Sequence, residues 1–99
     1  MADLTHAQQT RMIWIDARIV GAGRLNRSDI IAAFKVSAQQ AAADIGMYNR
    51  LHPGRLRYDR RAKTYHANRG TLPAYPADLR LTVAHSVEAV AQVLEVRHD

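Results

Sequence analysis

Apolar side chains crowd one side of the first 20 or so residues: Met12, Ile13, Ile15, Ile19 and Val20, with Trp14, make a broad helical face, and Thr5 stands where a cap belongs. This predicts a first helix from Thr5 to about Val20, ended by Gly21 and Gly23. Arg24 and Leu25 leave room for only a very short strand. Asn26 is a natural N-cap for a short second helix to about Phe34, with Ile30, Ile31 and Phe34 inward and Arg27 outward. Asp29, in its first turn, suits the exposed amides and the helix dipole. Lys35 and Val36 make a tight connection, and Ser37 caps a third helix to about Leu51. On that helix Ala41, Ile45 and Tyr48 share a face with Ala38 and Ala42 beside it. Gln39, Gln40, Ala43, Met47 and Arg50 lie opposite. Small residues at 41 and 42 let the second helix approach closely. Gly46 costs about 1 kcal/mol relative to alanine inside a helix, and nothing in the sequence explains it.

Pro53 and Gly54 stop the helix, and the period then falls to two. Arg55-Leu56-Arg57-Tyr58-Asp59 alternates as a strand, Arg60 to Lys63 make a turn, and Thr64-Tyr65-His66-Ala67 return. Alternation puts Tyr58 and Tyr65 on one strand face with Leu56 and Ala67, toward the core. Pro73 and Pro76 mark a linker. Beyond it come Leu79, Leu81, Val83, Val87, Val90, Val93, Leu94 and Val96. A helix is expected over at least Ser86 to Glu95, while residues 79 to 83 alternate and fit a strand as well.

Helix, short helix, tight turn, helix and basic hairpin, in that order, predict an α+β, mainly helical fold. It is a winged helix-turn-helix of three helices plus a β-hairpin wing, with an additional C-terminal helix. The expected division is a DNA-binding domain over residues 5–69 and a linker with a C-terminal helical segment over 70–99.

Charge divides the chain in the same place. Of 14 Lys+Arg and 9 Asp+Glu in 99 residues, residues 1–69 hold 12 and 5, a net +7, whereas 70–99 hold 2 and 4, a net −2. Six of the basic residues, Arg50, Arg55, Arg57, Arg60, Arg61 and Lys63, fall within 14 positions opposed only by Asp59. A polyanionic partner is indicated. The absence of cysteine removes disulfides, Cys-based zinc sites, iron–sulfur clusters and thiol nucleophiles. No run approaches the roughly 20 apolar residues of a membrane span, so a cytoplasmic protein is expected.

The geometry of such a fold tells which residues meet DNA. A recognition helix presents small or amide side chains at its start to the major-groove floor, where Gln pairs with adenine N6 and N7. Gln39, Gln40 and Ala43 are so placed, and Ser37 can offer its hydroxyl and free helix amides to a phosphate. Arg27, Arg50, Arg55, Arg57, Arg60, Arg61 and Lys63 complete the candidate set as phosphate-neutralising or groove-entering cations. Adjacent glutamines are also ordinary solvated surface, and an arginine-rich turn is also an ordinary loop. Asp44 would be unfavourable beside phosphates, so it pairs with a nearby arginine or tilts to solvent.

The runs Gly23-Arg24-Leu25-Asn26-Arg27-Ser28-Asp29-Ile30 and Phe34-Lys35-Val36-Ser37 are followed by Gln40-Ala41, Ala43-Asp44-Ile45, Tyr48 and Leu51-His52-Pro53. Then come Leu56-Arg57-Tyr58-Asp59-Arg60, Lys63 and Tyr65. Together, over residues 10 to 68, this combination resembles the N-terminal winged helix-turn-helix domain of WYL-domain transcriptional repressors. The resemblance implies a dimeric bacterial repressor on an inverted repeat, with the helix from Ser37 in the major groove and the wing from Arg57 to Lys63 on the backbone. Members of that family continue into a WYL ligand-sensing domain and a further domain, whereas this sequence runs to Asp99, and no small-molecule ligand or cofactor is evident in it.

A palindrome reader needs a two-fold partner, and Val83, Val87, Val90, Val93 and Leu94 are the expected dimerisation residues. The alternative is that they pack back on the first helix and complete a monomer's core. A winged helix used as a protein-interaction module is the competing function, and RNA binding is disfavoured by the few aromatics, mostly at core-like positions. His6, His52, His66, His85 and His98 are scattered without metal-ligand spacing, so neither a metal site nor an enzyme is expected. His52 sits at the end of the third helix, where a cation would suit the dipole.

Overall fold

The computed structural model describes the backbone of residues 4–97 and the side chains of residues 4–89. Helix α1 spans His6–Ala22, strand β1 Arg24–Leu25, helix α2 Arg27–Phe34, helix α3 Ala38–Leu51, strands β2 and β3 Leu56–Asp59 and Thr64–Ala67, and helix α4 Ala77–Arg97.

Local chemistry accounts for most of these boundaries. Thr5 and Gln8 exchange side-chain to backbone hydrogen bonds at 2.9 and 3.1 Å, closing a capping box at the start of α1. The helix ends one residue before Gly23, whose φ of 74° and amide bond to the Ile19 carbonyl make a left-handed stop. Gly21, expected to help end it, lies inside the helix, because a lone glycine weakens a helix without breaking its hydrogen bonds. At the start of α2 the Asp29 carboxylate accepts the Asn26 amide at 2.8 Å, and the Ser37 hydroxyl accepts the Gln40 amide at 3.0 Å at the start of α3.

The core is Met12, Ile15, Ile19, Leu25, Ile30, Ala41, Ile45 and Tyr48, drawn from α1, β1, α2 and α3. Trp14 and Phe34 close one side edge to face, with ring centroids 5.5 Å apart. The two-residue β1 converts the hairpin into a three-stranded antiparallel sheet of order β1-β3-β2. Its register pairs Leu25 and Tyr58 with Tyr65, and Leu56 with Ala67.

Two expectations change here. Tyr58, assigned to the core by alternation, is 50% exposed. It stands on the outer strand β2, whereas Tyr65, on the central strand, packs against the core. The C-terminal helix begins at Ala77, immediately after Pro76, so residues 79–83 are helical. Their alternation reflects Leu79 and Leu81 facing outward, not a strand. Helix α4 packs along α1 and touches α2. No described helix is long and apolar enough to cross a membrane.

Candidate nucleic-acid interface

Helix α3 buries Ala41, Ile45 and Tyr48 and thereby turns Gln39, Ala42, Ala43 and Arg50 to the surface, with Ser37 exposed at its start. Gln40 is half-buried, and its Nε2 donates to Asp44 Oδ1 at 2.9 Å. Asp44, 1% exposed, also accepts from Arg11 Nε of α1 at 2.7 Å. Of the two outcomes open for Asp44, the arginine pair is the one formed. That pair ties the middle of α3 to α1 and keeps the carboxylate off the surface. It also orients the Gln40 carboxamide, whereas Gln39 is exposed.

The hairpin turn is folded by one carboxylate. Asp59 Oδ1 accepts the amides of Arg61 and Ala62 at 2.9 and 3.1 Å, and Lys63 adopts a left-handed φ of 53°. The Ala62 amide above all, with the Arg61 amide and the His66 and Arg57 charges, holds the Asp59 carboxyl below the usual carboxylate range. Arg60, Arg61 and Lys63 are exposed at the tip, and Arg57 is exposed on β2. Arg57 pairs across the sheet with His66, which pairs in turn with Arg24, a basic row the sequence reading left out. Arg55 differs from the others: Nη1 donates to the Leu72 carbonyl at 3.0 Å and Nε is buried, so its guanidinium ties the wing's entry to the linker.

Arg27, exposed at the start of α2, meets the wing across two adjoining grooves. One, of about 320 Å³, is lined by Arg27, Lys63, Asn26, Ser28, Ile31 and Ala38. The other, of about 190 Å³, is lined by Arg27, Lys63, Asn26, Ala42, Tyr58 and Tyr65. The starts of α2 and α3 and Lys63 of the tip therefore border one concave surface. Residues 7–77 match the family profile of the BrxR transcriptional regulator winged helix-turn-helix domain.

The chain belongs to that family.

Among its relatives is the DNA-binding transcriptional repressor CapW of Stenotrophomonas maltophilia, 45% identical over 58 residues, covering 59% of this chain and 19% of the relative. CapW of Pseudomonas aeruginosa is 36% identical over 70 residues, covering 71% and 23%. CapW of Escherichia coli is 34% identical over 68 residues, covering 69% and 23%. The chain thus spans about a fifth of the length of these relatives. The BrxR-type domain and the repressor relatives bear out the resemblance read from residues 10 to 68.

Behind this BrxR-type surface lies a buried hub that sequence reasoning missed. Asp16, fully buried on α1, accepts the Tyr48 hydroxyl of α3 at 2.6 Å and the amides of Ala74 and Tyr75 at 3.1 Å, with Arg80 Nε of α4 at 3.9 Å. An aspartate within an otherwise apolar helix face was the only signal. Next to the hub, the His52 ring lies 5.1 Å from both Tyr48 and Tyr75 and its Nε2 is 3.0 Å from the Tyr75 hydroxyl.

Burial and then the Arg55 charge push the His52 pKa below its ordinary value, which favours the neutral ring at a helix end where a cation would have suited the dipole. Because the unfolded chain takes up the proton more readily, the His52 contribution is complete above the unfolded value and is lost as pH falls below it. The denaturation midpoint is expected to drop from about pH 7.5 to about pH 5.5, and to drop less in His52→Gln. Equal drops in the two proteins would rule His52 out as the cause.

The expected dimerisation residues divide. Val83 and Val87 are half-buried on α4, and Val87 with Ala84 and Glu88 faces Trp14, Ala17, Arg18 and Gly21 of α1 across a groove of about 510 Å³. The side chains of Val90, Val93 and Leu94 lie outside the described residues.

Proposed function

We propose that this domain binds double-stranded DNA sequence-specifically in the control of transcription, as a repressor, with the start of α3 in the major groove and the wing on the backbone. The observation that carries this reading is the concave surface lined together by Arg27 of α2, Ala38 and Ala42 of α3 and Lys63 of the wing tip, with Gln39 and Ala43 exposed on the same helix and Arg60 and Arg61 exposed on the same turn. Gln39 and Gln40 read bases. Ser37, Arg27, Arg50, Arg57, Arg60, Arg61 and Lys63 contact phosphates, and Arg55 braces the wing. The CapW relatives are DNA-binding transcriptional repressors, which supports the same reading.

The domain works as a homodimer on an inverted repeat, with α4 supplying the second copy's contact. Exposed Leu79 and Leu81 on the same helix support an association role. Selection from a random duplex library is expected to return a palindromic consensus; flat enrichment would leave only electrostatic binding. Gln39→Ala/Gln40→Ala is expected to lose about 1–3 kcal/mol on the selected site and little on other duplexes. An unchanged sequence preference in that variant would remove both glutamines from base reading.

A further inference from the structure

We propose that Arg27 and Lys63 grip one and the same backbone phosphate of the duplex, and that the hydrogen bond between Thr64 and Asn26 sets the gap between them. This rests on the DNA reading above and adds a specific seat to it, with two positioning residues that touch no DNA themselves.

Arg27 directly follows Asn26, and Lys63 directly precedes Thr64. The Thr64 hydroxyl, on a residue only 7% exposed, donates to Asn26 Oδ1 and so couples the two cation-bearing backbones across the groove. Asn26 is held in turn, since its amide donates to Asp29 at 2.8 Å and Asp29 pairs with Arg18 of α1 at 3.2 Å. Lys63 is fixed from the other side by the turn that Asp59 closes, with a positive φ that a lysine rarely adopts. Both cations line both adjoining grooves, and neither groove is lined by a carboxylate. The wall is completed by Tyr58 and Tyr65, whose rings lie 4.8 Å apart, and by Ser28. Two cations held at a set spacing around an acid-free recess suit a single anionic group.

Salt dependence of duplex binding separates one shared phosphate from two, because each neutralised phosphate contributes about 0.9 to the slope of log affinity against log salt. Wild type, Arg27→Ala, Lys63→Asn and the double variant are compared on one duplex, asparagine being chosen because it tolerates the left-handed backbone. The double variant is expected to have a slope shallower by about 0.9; a loss of about 1.8, half from each single variant, would assign the cations to separate phosphates and overturn the pairing.

Thr64→Val keeps the shape and removes the donor, and is expected to weaken binding roughly tenfold at about 0.1 M salt, the share of one phosphate. Thr64→Ser is expected to bind as wild type. A Thr64→Val protein with wild-type affinity and slope refutes the positioning role; if it fails to fold, the Arg27 and Lys63 series still decides the pairing. Wild-type protein without salt-dependent duplex binding would defeat the DNA reading itself, whereas strong wild-type dependence with a loss of about 1.8 defeats only the shared seat.

Discussion

Asp16→Ala is expected to destabilise the domain by about 3–5 kcal/mol, read as a lowered midpoint in urea denaturation. The carboxylate is fully buried and serves the Tyr48 hydroxyl, the amides of Ala74 and Tyr75, and, at 3.9 Å, Arg80. Removing it strands a hydroxyl and two amides at once, while Arg80 Nε keeps its bond to the Tyr75 carbonyl at 3.1 Å, and a stranded buried donor costs more than its hydrogen bond contributed. Small domains are stable by only about 5–15 kcal/mol, so the loss is a large share of the total. Tyr48→Phe deletes one partner and leaves the carboxylate its others, so about 1–2 kcal/mol is expected there. The Tyr48 hydroxyl itself is pushed far above its ordinary pKa, by burial first and then by Asp16, and stays a neutral donor across the physiological range. A loss below about 1 kcal/mol for Asp16→Ala would show that water replaces the carboxylate and that the hub does not hold α1, α3, the linker and α4 together.

Arg60→Glu/Arg61→Glu is expected to weaken binding to every duplex by at least roughly 60-fold at about 0.1 M salt, since two phosphate contacts contribute close to tenfold each at that concentration. The salt slope should become shallower by about 1.8. Both side chains are exposed on a turn folded by the Asp59 carboxylate, so the exchange leaves the hairpin's hydrogen bonds in place. Electrophoretic mobility or fluorescence anisotropy on one specific and one scrambled duplex distinguishes this from the glutamine variant: the wing should act on both duplexes alike, the glutamines on the specific one. A charge reversal that spares the scrambled duplex would take the wing off the backbone and make it a sequence reader.

The element order was legible in the chain because it rests on short-range chemistry. Caps at Thr5, Asn26 and Ser37, the stop at Gly23 and the change of period after Gly54 all act within a few residues. The candidate interface was largely legible for the same reason, since helical spacing alone sends Gln39 and Ala43 away from Ala41, Ile45 and Tyr48. Tyr58 shows the limit. Alternation states which strand face a residue is on, and it cannot state whether anything covers that face at an outer strand. Residues 79–83 show another, since outward-facing leucines two apart give the same pattern in a helix as in a strand.

A basic three-helix unit with a positive hairpin and a mildly acidic tail is written in the order of the residues, because capping, periodicity and charge are properties of neighbours in the chain. Packing in three dimensions sets that Asp44 meets Arg11, that Asp16 gathers Tyr48 and the linker amides, that Arg55 turns to Leu72, and that Thr64 reaches Asn26. Those pairings join residues 17 to 59 positions apart. Which buried polar group finds which partner depends on how helices and sheet pack, and no local pattern encodes it.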